Sequence, residues 1–366
     1  MLRMSPFPRL AALALAGAVL SSSPPASAAE GDAPDAMRAI VMTANGGPEV
    51  LQLRRLPVPE PGAGQVRIRV HAAGVNPIDW KLREGRRPPP GGQAAAFEER
   101  VPGFDVAGIV DKPGPGVDAF AAGEAVVASA VRGVPGGYAE YVVVPVGDVA
   151  RKPARLSFHE AAGLPTAAVT ALRSLDDRAK LQAGERILIQ GGAGGVGSAA
   201  VQIAKARGAH VIATASAGNQ DYLRAIGVDE PIDYRAVRFE DAVRDVDVVF
   251  DTVGGETLER SLGVLRKGGR LVTIAGRVSP EACAAAGVTC PAGGPPAPGA
   301  PVDWFGAQLA ELGALADRGE LAVNLFRVFP LEQAAEAQEL NREGRTRGKI
   351  VLELVGAQGP DPASNP

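Results

Sequence analysis

The stretch that decides the fold is "GGAGGVGSAAVQIAKARGAHVIATAS", residues 191–216. It follows the short apolar run 186–190 and contains Gly192, Gly194 and Gly197 in the spacing G-x-G-x-x-G. A strand, a glycine turn and a helix in this order allow the turn backbone and the helix N-terminus to approach a pyrophosphate. The stretch therefore predicts a parallel α/β domain that binds a dinucleotide, with Gly192, Gly194, Gly195, Val196 and Gly197 as the pyrophosphate contacts.

The rest of the chain divides into two types of pattern. From about residue 166 to 276, near-continuous apolar runs alternate with helical stretches, which is typical of a doubly wound parallel sheet covered on both faces. Upstream, residues 37–165 contain short alternating runs separated by glycine and proline, which predict a mainly antiparallel β domain. The expected fold class is thus α/β, with a Rossmann domain and a second, β-rich domain.

The end of the second predicted strand bears on the choice of cofactor. Sites for NAD usually carry an acidic residue about 20 residues after the glycine motif, where it binds the ribose 2′-hydroxyl. Here residues 214–219 read "TASAGN" and contain no acid. Ser216 and Asn219 are neutral side chains that can accept a 2′-phosphate, and the nearby cation Arg224 lies further along the next helix. The pattern favours NADP(H).

The N-terminus resembles an export signal. Arg3 and Arg9 flank the start of the apolar run 10–20, and Ala26 and Ala28 stand at the key positions of a small-residue cleavage site. We expect residues 1–28 to be a signal peptide and the mature protein to be periplasmic or secreted. The alternative is an extension without this function, in which case the protein is cytoplasmic.

Charge and cysteine content exclude several classes of protein. The net charge is −3, so nothing indicates a basic surface for nucleic acid or, after signal cleavage, for a membrane. Cys283 and Cys290 are the two cysteines of the chain, and there are three histidines, none of them nearby, so a zinc ligand set cannot be assembled. The two cysteines form either a short-loop disulfide or two free thiols. They lie in a proline- and glycine-rich insertion, 278–303.

Several motifs together resemble the medium-chain dehydrogenase/reductase superfamily, and most of all its zinc-free quinone oxidoreductase and enone reductase branch. In chain order these motifs read "AAGVNPIDWKLREG", "VPGFDVAGIV", "GGYAEYVVVP", "AAGLPTAAVTAL", "AGERILIQGGAGGVG", "FDTVGGETL" and "GRTRGKIVLEL". The resemblance implies a GroES-like catalytic domain at 37–165, completed by 330–356, and an NADP-binding Rossmann domain at 166–329. Asn76 and Phe104–Asp105 occupy places where zinc-dependent relatives carry a cysteine and a His-Glu pair.

The resemblance implies hydride transfer from NADPH to a quinone or an α,β-unsaturated carbonyl without a metal. We expect this small-molecule acceptor and a second copy of the chain, in a homodimer, as the partners. Reduced nicotinamide cofactors are not expected outside the cytoplasm. The alternative is therefore an exported, catalytically quiet dinucleotide-binding protein of the same fold.

Three residues of the first motif are the catalytic candidates. Asn76 can donate a hydrogen bond to the acceptor carbonyl without being ionised, or it caps a turn, since Asn-Pro favours turns. Asp79 orients its neighbours or ends a turn, and Lys81 is a second donor or a solvated side chain. Trp80 stacks on a flat acceptor or packs in the core, and we expect Tyr138 to be structural.

The resemblance also implies contacts with the cofactor outside the glycine loop. Thr170 would contact the nicotinamide or its ribose. Ser216, Asn219 and Tyr234 would surround the adenosine phosphate, while Val253 and Ala275 would line the nicotinamide ribose. Arg347 and Lys349 would reach the cofactor from the C-terminal segment, or they form a solvated pair of charges.

Overall fold

The computed structural model describes residues 35–86, 98–130, 136–291 and 304–354. The predicted signal peptide, residues 1–28, lies outside this part of the chain, as do residues 292–303 of the insertion. In the part that is described, no helix combines the length and the apolar character needed to cross a membrane.

The strands and helices follow one another along the whole described chain. The strands are β1 (Ala36–Met42), β2 (Leu51–Pro57), β3 (Gln65–Val75), β4 (Asp105–Pro113), β5 (Ala125–Ser129), β6 (Tyr141–Pro145), β7 (Val149–Arg151), β8 (Arg186–Gln190), β9 (His210–Ala215), β10 (Glu230–Asp233), β11 (Val246–Asp251), β12 (Leu265–Thr273), β13 (Leu325–Pro330) and β14 (Lys349–Glu353). The helices are α1 (Pro77–Arg83), α2 (Phe158–Ala162), α3 (Pro165–Arg173), α4 (Gly195–Ala206), α5 (Gln220–Ala225), α6 (Phe239–Ala242), α7 (Gly255–Ser261), α8 (Pro280–Ala285), α9 (Trp304–Asp317) and α10 (Ala334–Arg342).

Within the described ranges, the dinucleotide-type sheet has five parallel strands in the order β10-β9-β8-β11-β12. Its inner strands bury apolar side chains such as Leu188 and Phe250 completely, as expected for strands covered on both faces. The order of the strands reverses between β8 and β11. In open α/β sheets this reversal creates a crevice at the carboxyl ends of the strands, where ligands bind.

The second sheet is mainly antiparallel. Its strands follow the order β13-β14-β3-β4-β5-β7, with β6 paired to β3, and β1 and β2 form a separate antiparallel pair. Only the pair β13 and β14 is parallel among these. The expected fold class, a Rossmann domain with a mainly antiparallel β domain, is confirmed.

Two of the expected boundaries need correction. The boundary between 329 and 330 falls inside β13, which pairs with β14, so the returning segment of the β domain begins near Leu325. The insertion predicted at 278–303 is partly regular. It contains α8, and Thr289 pairs in parallel with Arg270 at the outer edge of β12. A disulfide joins Cys283 to Cys290 and fastens α8 to this edge.

Candidate cofactor and active site

The glycine loop between β8 and α4 has one glycine that internal packing does not explain. At Gly192 a Cβ atom would lie 2.8 Å from the Cβ of Ala213, and at Gly197 it would lie 2.2 Å from the carbonyl oxygen of Gly191. At Gly194 the backbone φ is an ordinary −75°, and the nearest atom to a Cβ, the carbonyl oxygen of Gly191, would be 3.5 Å away. The missing side chain leaves space beside the first turn of α4, which fits the close approach of a pyrophosphate.

A row of hydrogen bonds between buried polar side chains holds the first residue of this loop. The Gly191 N–H donates to Thr214 Oγ1 at 3.1 Å, and this hydroxyl donates to Gln190 Oε1 at 2.7 Å. Gln190 Nε2 in turn donates to Ser261 Oγ at 3.2 Å. The chain Thr214–Gln190–Ser261 thus fixes the first residue of the loop, and the sequence alone did not indicate it.

The carboxyl ends of β9 and β10 bring together the residues expected around the adenosine phosphate. Asn219 Nδ2 donates to Ser216 Oγ at 3.1 Å, and the Tyr234 N–H donates to the carbonyl oxygen of Ala215 at 3.2 Å. The Tyr234 side chain is 53% exposed, and the Arg235 guanidinium lies 5.7 Å from its ring centroid. Arg235 therefore supplies a cation at this edge, which the sequence pattern had not singled out.

Arg347 and Lys349 lie in different environments, the first exposed and the second buried. The Gly348 N–H donates to the carbonyl oxygen of Ala193 at 2.9 Å, so the C-terminal segment is bonded to the glycine loop. Arg347 is exposed, and its guanidinium lies 5.4 Å from the ring centroid of Tyr222. The Lys349 side chain is only 7% exposed and does not face solvent. The alternative of a solvated pair is therefore wrong for Lys349.

The residues expected near the nicotinamide ribose lie at the ends of β11 and β12. A Cβ on Gly191 would lie 3.1 Å from Val253 Cγ2, and one on Gly254 would lie 2.5 Å from the carbonyl oxygen of Ala275. The Val253 side chain is 54% exposed, which leaves an apolar surface next to the glycine loop. Buried Asp251 stabilises this corner because it accepts the N–H groups of Val253 and Gly254.

Thr170 lies on α3, one helical turn after Thr166 and therefore on the same face. Both threonines are partly exposed. The Thr166 N–H and hydroxyl donate to Asp105 Oδ1 at 2.9 and 2.6 Å. This pair of bonds fixes the face of α3 that carries Thr170.

Asn76 sits at the start of α1 with its side-chain amide engaged at both ends. Its Nδ2 donates to Asp105 Oδ2 at 2.9 Å, and its Oδ1 accepts from Lys349 Nζ. The residue is 2% exposed and is the N-terminal cap residue of α1, which fits the alternative that Asn76 caps a turn. The second Nδ2 hydrogen has no partner within the described part of the chain, so the role as a donor to a carbonyl stays a prediction.

Asp79 is enclosed beneath Asn76. Its Oδ2 accepts the Asn76 N–H at 2.8 Å and the Tyr138 hydroxyl at 2.9 Å, while Oδ1 is buried and has no hydrogen-bond partner among the residues that the structure describes. Burial raises the pKa of Asp79 to about 7, and the neighbouring Asp105 acts in the same direction. The hydrogen bonds from Asn76 and Tyr138 oppose this shift. Buried Asp79 is thus bonded to the Asn76 backbone and to Tyr138; these contacts fit an orienting role, which stays a prediction.

Tyr138 explains a glycine of the second motif. A Cβ on Gly103 would lie 2.3 Å from Tyr138 Cδ1, and Gly103 has a φ of +96°, which side-chain-bearing residues rarely adopt. The tyrosine ring is fully buried on this glycine. These contacts agree with the structural role expected for Tyr138.

Lys81 and Trp80 contact each other, and Trp80 also contacts α10. The Lys81 ammonium lies 5.3 Å from the ring centroid of Trp80, and Trp80 Nε1 donates to Asn341 Oδ1 of α10 at 3.2 Å. Trp80 thus packs α1 against α10, which favours the packing interpretation over stacking on an acceptor. The structure does not bring Lys81 into contact with Asn76 or Asp79.

Comparisons with known proteins agree with this arrangement. A model of the alcohol dehydrogenase GroES-like domain matches residues 62–154, and a zinc-binding dehydrogenase model matches residues 226–352. The human protein named quinone oxidoreductase is 33% identical, over 87% of the chain and 98% of the human protein. The chain belongs to the medium-chain dehydrogenase/reductase superfamily, in its zinc-free quinone oxidoreductase and enone reductase branch. This member of the superfamily is an oxidoreductase.

The chain is also similar to a plant oxidoreductase and to a bacterial quinone oxidoreductase of known structure. An Arabidopsis thaliana protein named chloroplastic NADPH-dependent alkenal/one oxidoreductase is 39% identical, over 72% of the chain and 70% of that protein. The structure of the quinone oxidoreductase from Coxiella burnetii is 34% identical and covers 87% of the chain and 100% of its own, with a TM-score of 0.77. The comparisons give no support to the catalytically quiet alternative.

Although the chain matches the zinc-binding dehydrogenase model, its described residues include no set of zinc ligands. Within the described ranges, no group of three or more His, Cys, Asp or Glu side chains is placed to hold a metal ion. The two cysteines inside the matched span are bonded to each other. At the positions of the zinc ligands, Asn76 and Asp105 are hydrogen-bonded to one another. Independence from metal stays a prediction for this superfamily member.

Proposed function

We propose that the protein is an NADPH-dependent oxidoreductase that transfers a hydride to a quinone or an α,β-unsaturated carbonyl without a metal. The observation that carries the proposal is Gly194, whose Cβ position is open at the head of α4 and whose backbone φ is ordinary. Nothing within the described residues requires glycine there, whereas a pyrophosphate does. The names of the human and Arabidopsis relatives support quinones and enones as acceptors.

The preference for NADPH is supported by neutral polar side chains after β9 and by an arginine after β10. Ser216 and Asn219 offer neutral hydrogen-bonding groups, and the guanidinium of Arg235 lies beside Tyr234. A 2′-phosphate carries about two negative charges, and charge-assisted bonds from arginine to phosphate are strong. The Arabidopsis relative is named as NADPH-dependent.

Bound NADPH supplies the hydride. The glycine loop and the first turn of α4 hold the pyrophosphate, and Val253 and Ala275 present an apolar surface to the nicotinamide end. The second Nδ2 hydrogen of Asn76 would donate a hydrogen bond to the acceptor carbonyl, where negative charge develops during reduction, and water would supply the proton that completes the reduced product. A neutral amide performs this task without a Lewis acid, so that activated acceptors, whose reduction needs no metal, are the substrates.

The experiment that tests the proposal uses the purified mature protein. We expect fluorescence titration to show tighter binding of NADPH than of NADH, and a panel of quinones and enones to oxidise bound NADPH. Elemental analysis is expected to find no stoichiometric metal, and a chelator should leave the rate unchanged. Equal affinity for the two cofactors, or one metal per chain with activity lost to the chelator, would overturn the corresponding part of the proposal.

We also propose that the protein is exported, with cleavage near Ala28, and that it forms a homodimer. The disulfide between Cys283 and Cys290 supports export, because such bonds persist mainly in oxidising compartments. N-terminal sequencing of protein from its host and sedimentation of the mature chain test these points. An intact Met1 in a cytoplasmic fraction contradicts export, and a monomer at micromolar concentration contradicts the dimer.

A further inference from the structure

Lys349 is the first residue of β14, and it directly follows the residue that contacts the glycine loop. The residue before it, Gly348, forms an isolated parallel bridge with Gly194, and the Lys349 N–H donates to the carbonyl oxygen of Asn324 at 2.8 Å. A Cβ on Gly195 would lie 3.0 Å from Lys349 Cδ. The aliphatic part of the lysine therefore rests against the first residue of α4.

The other end of the side chain reaches the β domain. Lys349 Nζ donates to Asn76 Oδ1 and to the carbonyl oxygen of Val75, the latter at 3.2 Å. It also lies 3.8 Å from Asp105 Oδ2, and the Asp105 side chain is fully buried. A single buried side chain thus connects the cofactor loop with Asn76.

The chemistry of the two neighbours fixes the orientation of the Asn76 amide. An ammonium can only donate hydrogen bonds, so it selects Oδ1, while an ionised carboxylate can only accept them, so it selects Nδ2. Asp105 accepts one Nδ2 hydrogen at 2.9 Å and is itself held by Thr166. The amide cannot rotate by a half-turn without placing Oδ1 against a carboxylate and Nδ2 against an ammonium. The remaining Nδ2 hydrogen therefore has one fixed direction.

We propose that Lys349 is a positioning residue for the Asn76 amide and not a ligand of the cofactor phosphates. Its ammonium donates to Asn76 and Val75 and lies 3.8 Å from the Asp105 carboxylate, and among the described residues it makes no hydrogen bond to the glycine loop, where its backbone is anchored. The lysine sets the acceptor-binding amide relative to the cofactor loop. This inference rests on the proposed function, because the amide acts on the acceptor carbonyl.

The test compares Lys349→Met with Asn76→Ala and with the variant that carries both changes. We expect Lys349→Met to keep the NADPH dissociation constant within about threefold of the wild type and to lower kcat about tenfold. Because both residues act through one amide, the double variant should be no slower than Asn76→Ala alone. Lys205→Met is the matched control. Its ammonium pairs with Asp229 at the surface, and we expect it to leave kcat unchanged.

Lys349→Met leaves Asp105 buried without its cation, which can prevent folding. The variant Asp105→Asn/Lys349→Met removes both charges together and is the second test. It should likewise bind NADPH normally and reduce the acceptor slowly. A loss of NADPH affinity of tenfold or more with kcat unchanged would make Lys349 a phosphate ligand and overturn the proposal, and so would effects on kcat that multiply in the Asn76 double variant.

A readout without turnover separates this inference from the proposed function. The Asn76 side-chain amide gives a pair of ¹H–¹⁵N signals, which are identified by their absence in Asn76→Ala. We expect these signals to move or broaden in Lys349→Met and to stay in place in Lys205→Met. Unchanged signals overturn the positioning role, whereas a wild-type protein that reduces no acceptor overturns the proposed function.

Discussion

The Gly348 N–H donates to the carbonyl oxygen of Ala193 at 2.9 Å and so bonds the C-terminal segment to the glycine loop. Gly348 has a φ of +80°, and a Cβ there would lie 2.1 Å from the carbonyl oxygen of Asn324. The glycine loop is therefore bonded to the residue that precedes β14, and the space around that residue leaves no room for a side chain. The C-terminal motif "GRTRGKIVLEL" thus both supplies β14 to the second sheet and anchors the glycine loop.

Gly348→Ala should destabilise the protein and weaken NADPH binding. The matched control is Gly344→Ala, because Gly344 has a φ of +68° but nothing within 4 Å of its Cβ position. Both variants pay the backbone strain of about 1–2 kcal/mol, and only Gly348→Ala adds the clash. Urea unfolding and NADPH titration should show the larger loss for Gly348→Ala. Equal losses of stability and affinity in the two variants would contradict this role of Gly348.

Asp79 should make the stability of the protein depend on pH. Burial raises the pKa of Asp79 to about 7, whereas the unfolded chain has a pKa near 3.9, so between about pH 4 and 7 the native state binds a proton that the unfolded state has lost. The free energy of unfolding therefore falls as the pH rises through this window, by up to about 1.4 kcal/mol per pH unit, and this contribution is constant above it.

Asp79→Asn removes this contribution and should flatten the dependence on pH. Asp105 and Lys349, whose charges act on Asp79, are retained in the variant, so the change in slope reports Asp79 together with its coupling to these two groups. The measurement is urea unfolding of both proteins at several pH values across the window. If the wild type and Asp79→Asn lose stability at the same rate with rising pH, Asp79 is ionised throughout and the assigned pKa is wrong.

Arg235→Ala should weaken NADPH binding about tenfold, which is about 1.4 kcal/mol, because a charge-assisted bond to the 2′-phosphate is lost. NADH lacks that phosphate, so its affinity should stay within about twofold. Arg224→Ala is the matched control, since Arg224 is an exposed arginine of α5 that pairs with Asp221. Titration with both cofactors decides the matter. A parallel loss for NADH, or the same loss in Arg224→Ala, would remove Arg235 from the site.

The structure shows which parts of this account the sequence could supply. Strand β8 has the bounds of the apolar run 186–190, because a continuous apolar run defines it locally. The boundary at 329/330 was misplaced because β13 is defined by its pairing with β14, across a helix, and not by its own pattern. Such pairing over a long stretch of chain is not visible in local periodicity.

The site divides in the same way. The glycine loop was predictable because its spacing follows from backbone geometry. The buried position of Lys349 was not, since a lysine in sequence carries no sign of whether its ammonium meets water or Asn76. Arg235 directly follows Tyr234 in the sequence, but only the pairing of β10 with β9 brings it to the edge where Ser216 lies. The sequence could have drawn attention to it as the cation next to a predicted contact.

Gly194→Val should abolish cofactor binding without unfolding the protein, since its side chain would fill the space left for the pyrophosphate. Gly263→Val is the matched control: among the described residues Gly263 has no neighbour within 4 Å of its Cβ position, and like Gly194 it has no positive φ, but it lies between α7 and β12. NADPH titration and thermal unfolding of both variants are the measurements. Retained NADPH affinity in Gly194→Val would show that the pyrophosphate binds elsewhere.

The most direct test of the central claim is to follow the transferred hydride itself. The mature protein is incubated with an enone and with NADPH that carries deuterium at the transferable C4 position, and the product is analysed by mass spectrometry. The account predicts one deuterium at the β-carbon of the saturated product, formed in the presence of a chelator and faster than with NADH. An unlabelled product, or no consumption of NADPH with any enone or quinone, would contradict it.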